Sequence, residues 1–478
     1  MKVSPVKFVL SRCASWCKYR VSRYDEQMKI LITGATGLIG KKLLIDLLKK
    51  GHTVVGVGRD KSKIVELPEK QTYSWDALSD QEFPLEALKD CDAVVHLAGE
   101  PVAAQRWNEQ IKKNILDSRV IGTKKIISAF KKLKEAHRPK VFIAGSAIGF
   151  YGDQGQKNLT ENASPGSDFL ADVVQQWESE IIKADKLGIR TVILRTGIVL
   201  ARSGGALEKM PPVVVGNGDN FMSWIHIQDW INFAIEAMEN SESKGIYNLV
   251  SPHPVTQSVF IADLASERQV PFVMKVPQFV VGMVLGEMAQ VLLTSQKVKP
   301  QKMLDEGFQF QFANLKQALK DIYHSEDYLV QNFSVSQFVP DKIENVFNFF
   351  SAAQNLEKIT PDFLNFKVKN MSSEEIEKDT IINYKLKIHC IPASWQTQIV
   401  EFKPLEMFID NQNKGPYSMW QHTHTFTPVK NGTLIEDRIK YKIPGHLIGL
   451  LALGSFIRKD VTQIFRYRVK SIQSKFNS

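Results

Sequence analysis

The chain has 478 residues, of which 44% are apolar and 23% charged, and it carries a formal net charge of +10. That length holds two or three domains, and the positive charge is spread along it, which excludes a concentrated nucleic-acid footprint. Its four cysteines, Cys13, Cys17, Cys91 and Cys390, form no metal-ligand pattern and fit a reducing, cytoplasmic compartment, while no apolar run is long enough to span a bilayer.

Residues 1–27 place Lys2, Lys7, Arg12, Lys18, Arg20 and Arg23 ahead of the first acid, Asp25. This basic extension fits an organellar transit peptide, a tail, or an upstream translation start ahead of Met28. Because Met28 opens directly into the apolar run Ile30-Leu31-Ile32, a dispensable extension is the preferred reading.

That run reads as a buried strand and leads into Thr33-Gly34-Ala35-Thr36-Gly37-Leu38-Ile39-Gly40, with a glycine at every third position. Leu43, Leu44, Leu47 and Leu48 then recur with helical spacing. Strand, glycine turn and helix together aim backbone N–H groups at one spot, where a pyrophosphate can sit. The next strand, His52-Thr53-Val54-Val55-Gly56-Val57-Gly58, ends at Arg59, where the ribose 2′-substituent of a dinucleotide is read; an Arg there favours NADP over NAD.

A short third strand around Tyr73 follows, and then Asp92-Ala93-Val94-Val95-His96, which runs into Leu97-Ala98-Gly99 along the expected cofactor. Residues 107–132 read as a helix, and Val141-Phe142-Ile143-Ala144-Gly145-Ser146 as a fifth strand leading to Tyr151. A sixth strand, Thr191-Val192-Ile193-Leu194-Arg195, follows a helix that holds Trp177 and Glu178. This alternation predicts an α/β, Rossmann-like, doubly wound parallel sheet.

Residues 28–325 resemble the atypical extended short-chain dehydrogenase/reductase family of the NAD-dependent epimerase/dehydratase type, in the subgroup labelled nucleoside-diphosphate-sugar epimerase. The resemblance rests on the glycine turn, on Leu97-Ala98-Gly99-Glu100-Pro101 with Arg106-Trp107, and on Gly145-Ser146-Ala147 with Tyr151-Gly152-Asp153. Leu194-Arg195-Thr196-Gly197 and Ser223-Trp224-Ile225-His226-Ile227-Gln228-Asp229 add to it, and Pro300-Gln301-Lys302-Met303-Leu304 resembles the subgroup's C-terminal cap, placed at about 271–325. It implies that Gly34, Thr36, Gly37, Leu38, Ile39, Gly40, Arg59, Leu97, Ala98, Gly99, Asn114 and Arg119 face the cofactor, and that Glu100, Arg106, Trp107, Trp224 and His226 face the substrate. A solvated helix charge at Arg119 and a helix cap at Asp229 are the structural alternatives.

One departure bears on activity. The superfamily's proton donor is a Tyr with a Lys four residues on, yet none of the eleven tyrosines has that partner. Aligned on Glu178, the two positions hold Leu170 and Val174. The catalytic candidates that remain are Ser146 and Tyr151, each of which could equally be a satisfied structural residue.

The pattern breaks between residues 323 and 332, which places a linker at 326–332 and a second domain at 333–478. Six further strand-like runs follow Phe333, and the last thirty residues read as one amphipathic helix. Leu356-Glu357-Lys358-Ile359-Thr360-Pro361, Phe408-Ile409-Asp410 with Gly415-Pro416-Tyr417, and Trp420-Gln421-His422-Thr423-His424 resemble START-like, polyketide-cyclase-type domains. That resemblance implies a helix-grip α+β fold and an apolar ligand. His422 and His424 share one face of a strand, but spacing supplies no third ligand, so two histidines without a metal is the preferred reading. The expected protein is an NADP-dependent oxidoreductase or epimerase acting on a small molecule, with no metal and no nucleic-acid partner. A catalytically silent NADP sensor is the alternative.

Overall fold

The computed structural model describes residues 27–202, 204–323, 329–373, 375–388 and 391–476. The basic extension up to residue 26 and the expected linker residues 326–328 lie outside them.

Apolar runs that are buried on both faces build the first sheet. Its strands are β1 (Lys29–Thr33), β2 (Thr53–Gly58), β3 (Thr72–Ser74), β4 (Ala93–His96), β5 (Val141–Ala147), β6 (Arg190–Thr196) and β7 (Gly245–Leu249). They lie side by side in the order β7-β6-β5-β4-β1-β2-β3, all parallel. The odd and even residues of the strands feed two different cores. Ile30, Ile32, Val95 and Ile143 pack under helix α1 (Leu38–Lys49). Leu31, Val94 and Phe142 pack under α2 (Glu109–Lys132) and α3 (Phe169–Ile181). The chain leaves β1 toward β2 and returns on its other side at β4, so the strand order reverses there. A crevice opens at the carboxyl ends of those two strands.

Helix α4 (Ile227–Glu239) carries Asp229, whose buried carboxylate accepts the backbone N–H groups of Gln311 (2.7 Å) and Phe312 (2.9 Å). Asp229 therefore pins the C-terminal cap rather than capping its own helix.

The second sheet is antiparallel: β8 (Val330–Val339), β9 (Lys367–Met371), β10 (Ile381–Ile388), β11 (Ile391–Lys403), β12 (Met407–Lys414), β13 (Met419–Val429) and β14 (Gly432–Lys442), in the order β8-β14-β13-β12-β11-β10-β9. Helix α5 (Ile343–Ser351) and the long terminal helix α6 (His446–Phe476) cover one face of it. Val461, Phe465 and Ile472 of α6 join the sheet residues Ile435, Ile439 and Tyr441 in the core on that face. Strand β8 starts earlier than the apolar alternation placed it, since Val330, Gln331 and Asn332 pair with Lys442, Tyr441 and Lys440. Backbone pairing does not depend on side-chain polarity, so Gln331 and Asn332 extend the strand although they break the pattern.

The two sheets touch beside α1. Phe338 N–H donates to Val65 O (2.8 Å), and Ser336 Oγ donates to Glu66 Oε1 (3.0 Å). The same Glu66 oxygen lies 2.8 Å from Lys41 Nζ in the first turn of α1. Lys49 pairs with Glu436, and Leu434 enters the core that underlies α1. Among the described residues, no helix is long and apolar enough to cross a membrane.

Candidate functional site

The glycine turn fills the crevice between β1 and β4. Gly34 has φ +71°, and a Cβ there would lie 2.9 Å from the Leu97 carbonyl carbon and oxygen. At Gly40 a Cβ would come within 2.3 Å of Gly34 O. These two glycines are therefore demanded by the close approach of turn, helix and β4. Gly37 differs, because a Cβ there would meet only Gly34 O, at 3.2 Å, and its outer side is open. Gly37 is also the N-cap of α1, with no side-chain cap and no acid in the first turn. The free N–H groups of the first turn, together with the positive end of the helix dipole, fit a bound pyrophosphate.

Arg59 follows β2 at the rim of this crevice, and its Nη1 donates to Glu100 Oε1 at 2.6 Å. Glu100, expected on the substrate side, is thus the partner of the residue expected to read the cofactor's 2′ position. The segment after β4 is held from beneath. Leu97 and Ala98 N–H groups donate to Thr33 Oγ1 (3.2 and 3.3 Å), and Glu100 N–H donates to Ser118 Oγ (3.0 Å). Arg119 Nη1 donates to the carbonyls of Glu100 and Ile115, both at 3.0 Å, and its side chain lies where a Cβ on Gly99 would meet it at 3.4 Å. Arg119 is thus a clamp beneath the cofactor-side loop, and burial lowers its pKa to about 10. Asn114, on the same helix, accepts from Gln110 (2.8 Å).

The catalytic candidates are part of a buried polar chain. Ser146 Oγ donates to Glu178 Oε1 at 2.6 Å. Arg195 holds the same carboxylate in a two-pronged grip, Nε to Oε1 at 2.9 Å and Nη2 to Oε2 at 2.7 Å. Its Nη1 donates to Tyr151 Oη (3.0 Å), and Tyr151 in turn donates to Asn248 Oδ1 (2.6 Å). The Arg195 guanidinium carbon lies 3.4 Å from the centre of the Phe150 ring. Tyr151 is 0% exposed, and desolvation raises its pKa, with Arg195 opposing the shift. Both hydrogen-bonding directions of the Tyr151 hydroxyl are used inside the fold. Leu170 and Val174, at the positions of the absent Tyr and Lys, pack toward Gly149.

Three of the expected substrate-side residues are also structural. Trp107 donates from Nε1 to Val102 O (2.8 Å) and packs edge-on against Phe169. Trp224 is fully buried. His226 caps α4, its Nδ1 accepting from Gln228 N–H (3.2 Å), and burial lowers its pKa to about 4. Arg106 stays exposed, with its guanidinium against Gly286. A cavity of about 380 Å³ opens beyond the Tyr151 segment, lined by Asp153, Asp168, Gln290 and Thr294 among others.

Sequence reasoning missed Arg195 and Asn248 as partners of Tyr151. Their pairing depends on β6 and β7 lying beside β5, and the short run Gly245-Ile246-Tyr247-Asn248-Leu249 carried no strand signal that was recognised. In the second sheet, His422 and His424 have Asp410 and Asp437 as neighbours, carboxylates that linear spacing did not supply.

The profile of the NAD dependent epimerase/dehydratase family matches residues 30–249, and a domain of unknown function, DUF1731, matches residues 276–322. The chain is 34% identical over 308 residues to the epimerase family protein SDR39U1 homolog, chloroplastic, of Arabidopsis thaliana, spanning 63% of this chain and 88% of the relative. It is 32% identical to the epimerase family protein YfhF of Bacillus subtilis, over 62% of this chain and 98% of that one. Among solved structures, human epimerase family protein SDR39U1 (isoform 2) with NADPH superposes with a TM-score of 0.54 at 31% identity, covering 62% of this chain and 99% of that one. With the parallel sheet and glycine crevice in place and the relatives matched over most of their own length, this chain belongs to the NAD-dependent epimerase/dehydratase family.

Proposed function

We propose that residues 28–325 bind NADP(H) and carry an oxidoreductase- or epimerase-type site for a small molecule, and that residues 333–478 form a START-like, helix-grip domain for an apolar ligand. The observation that carries the first part is the uncapped N-terminus of α1 behind an open Gly37, with Arg59 at the end of β2. Bound there, the dinucleotide supplies hydride chemistry. The turn holds its pyrophosphate, Arg59 meets a 2′-phosphate, and Leu97, Ala98 and Gly99 run along it. The human relative's structure, described as containing NADPH, supports the same choice of cofactor. The antiparallel sheet covered by a 31-residue terminal helix supports the second part.

The buried state of Tyr151 and the use of Ser146 Oγ by Glu178 favour a second reading, in which the chain binds NADP without turning over substrate. Calorimetry with NADPH and NADH, followed by NADPH absorbance decay over a panel of carbonyl and nucleotide-sugar substrates, separates the two. Preferential NADPH binding with turnover supports the enzyme; the same binding with no turnover across the panel supports the silent reading. Equal affinity for both dinucleotides overturns the choice of cofactor.

A further inference from the structure

We propose that the second sheet holds a site for one divalent first-row transition-metal ion, ligated by Asp410, His422 and His424 and oriented by Asp437. Sheet register builds it. Asp410 on β12 lies opposite His422 on β13, and Asp437 on β14 lies opposite His424. The four side chains thus form a box on the face covered by α6, where His422, His424 and Asp437 are buried.

The roles of the nitrogens divide cleanly. Asp410 Oδ2 lies 3.7 Å from His422 Nδ1 and shares a 3.2 Å hydrogen bond with His424 Nε2, and one ligand atom from each of the three side chains falls within 4.8 Å of the others. Four ligands around an ion with bonds of about 2.0–2.2 Å stand roughly 3.3–3.5 Å apart, a range that the two separations from Asp410 bracket. The remaining nitrogen of each ring faces one oxygen of Asp437. His422 Nε2 shares a 3.1 Å hydrogen bond with Oδ1, and His424 Nδ1 lies 2.8 Å from the same oxygen without a hydrogen bond to it. Asp437 on His422 Nε2 fixes the tautomer that presents the lone pair of His422 Nδ1, as outer partners of metal-bound histidines do; on His424 it takes that role once an ion displaces the proton that Nε2 shares with Asp410. Two neutral imidazoles and one carboxylate on one side of an ion leave coordination positions open.

A second observation bears on what a ligand there would carry. Arg468 of α6 lies within electrostatic reach of Asp437 and His424, and its Nε and Nη2 are buried without a hydrogen-bond partner among the described residues. An oxygen-bearing ligand on the ion, anionic or carbonyl, would satisfy them. The opposing account is a metal-free network in which a proton on His424 takes the place of the ion between the two aspartates.

The test uses the full chain, stripped with chelator and titrated with Zn²⁺ and, as a spectroscopic probe, Co²⁺. The expected result is one ion per chain at micromolar affinity or tighter, weakened more than about 100-fold in Asp410→Asn and His422→Gln and about 10–100-fold in Asp437→Asn. Circular dichroism shows whether each variant is folded. If a variant does not fold, the Co²⁺ spectrum of the wild type decides: nitrogen and oxygen ligation with no sulfur charge-transfer band supports the site. A thiolate band, binding unaltered in the folded variants, or no ion bound at micromolar concentrations overturns it.

Discussion

Replacing Arg195 with Met tests whether the buried chain from Ser146 to Asn248 is a structural brace. The change keeps most of the side-chain volume but removes two charge-assisted hydrogen bonds to Glu178, at 2.9 and 2.7 Å, and one to Tyr151 at 3.0 Å. The Glu178 side chain is only 9% exposed, so its carboxylate would be left buried with Ser146 as its remaining donor. Removing one partner of a buried ion pair costs about 3–5 kcal/mol. Removing both charges, in Glu178→Leu with Arg195→Met, strands neither and should cost far less than the two single changes added together, since buried pairs give back most of their attraction as desolvation. The assay is urea unfolding followed by tryptophan fluorescence, in which Trp177, one residue from Glu178, reports on this region. A loss below about 1 kcal/mol in Arg195→Met, or strict additivity in the double variant, would refute the brace.

For the cofactor, Arg59→Ala should reduce the preference for NADPH over NADH by about 1.5–3 kcal/mol, the range for a charge-assisted hydrogen bond. Glu100→Gln frees the same guanidinium from an exposed ion pair, so calorimetry should find NADPH bound tighter by less than about 1 kcal/mol. Tyr151→Phe should cost about 1–3 kcal/mol of stability by orphaning Asn248 and Arg195, while NADPH affinity and any turnover stay within about two-fold; a large loss of turnover in a stable variant returns Tyr151 to the chemistry. Stability should also fall with acid. Burial holds His96 at about 3 and His226 at about 4, so below the ordinary value near 6.5 the unfolded chain takes up protons that the folded chain refuses. Between pH 6.5 and 5 each costs about 1.5 kcal/mol; His226→Asn, which still caps α4, should remove one share, and an unchanged urea midpoint over that range would contradict it.

Much of the fold is written in local patterns. The glycine spacing, the alternation in 380–442 and the helical period at the end of the chain each reappear as the expected element. Local signals marked Ser146 and Tyr151, but where a hydroxyl points is fixed by its partners, and those stand on a helix and strands distant in sequence. Asn248 is 97 residues from Tyr151, and Glu178 is 32 from Ser146. The same holds for the carboxylates beside His422 and His424, which become visible only once register is known. Arg59 was legible because a dinucleotide fold brings the end of its second strand to the crevice whatever the rest of the chain does.

Glu66 is held at once by Lys41 in the first turn of α1 and by Ser336 on the edge strand of the second sheet. The turn that precedes Lys41 is the one shaped for a pyrophosphate, so one carboxylate ties the helix that opens at that anion site to the other half of the molecule. Thermodynamic reciprocity then governs both halves. Whatever factor an occupant of the second sheet imposes on dinucleotide affinity by shifting Glu66, the dinucleotide must impose on that occupant in return.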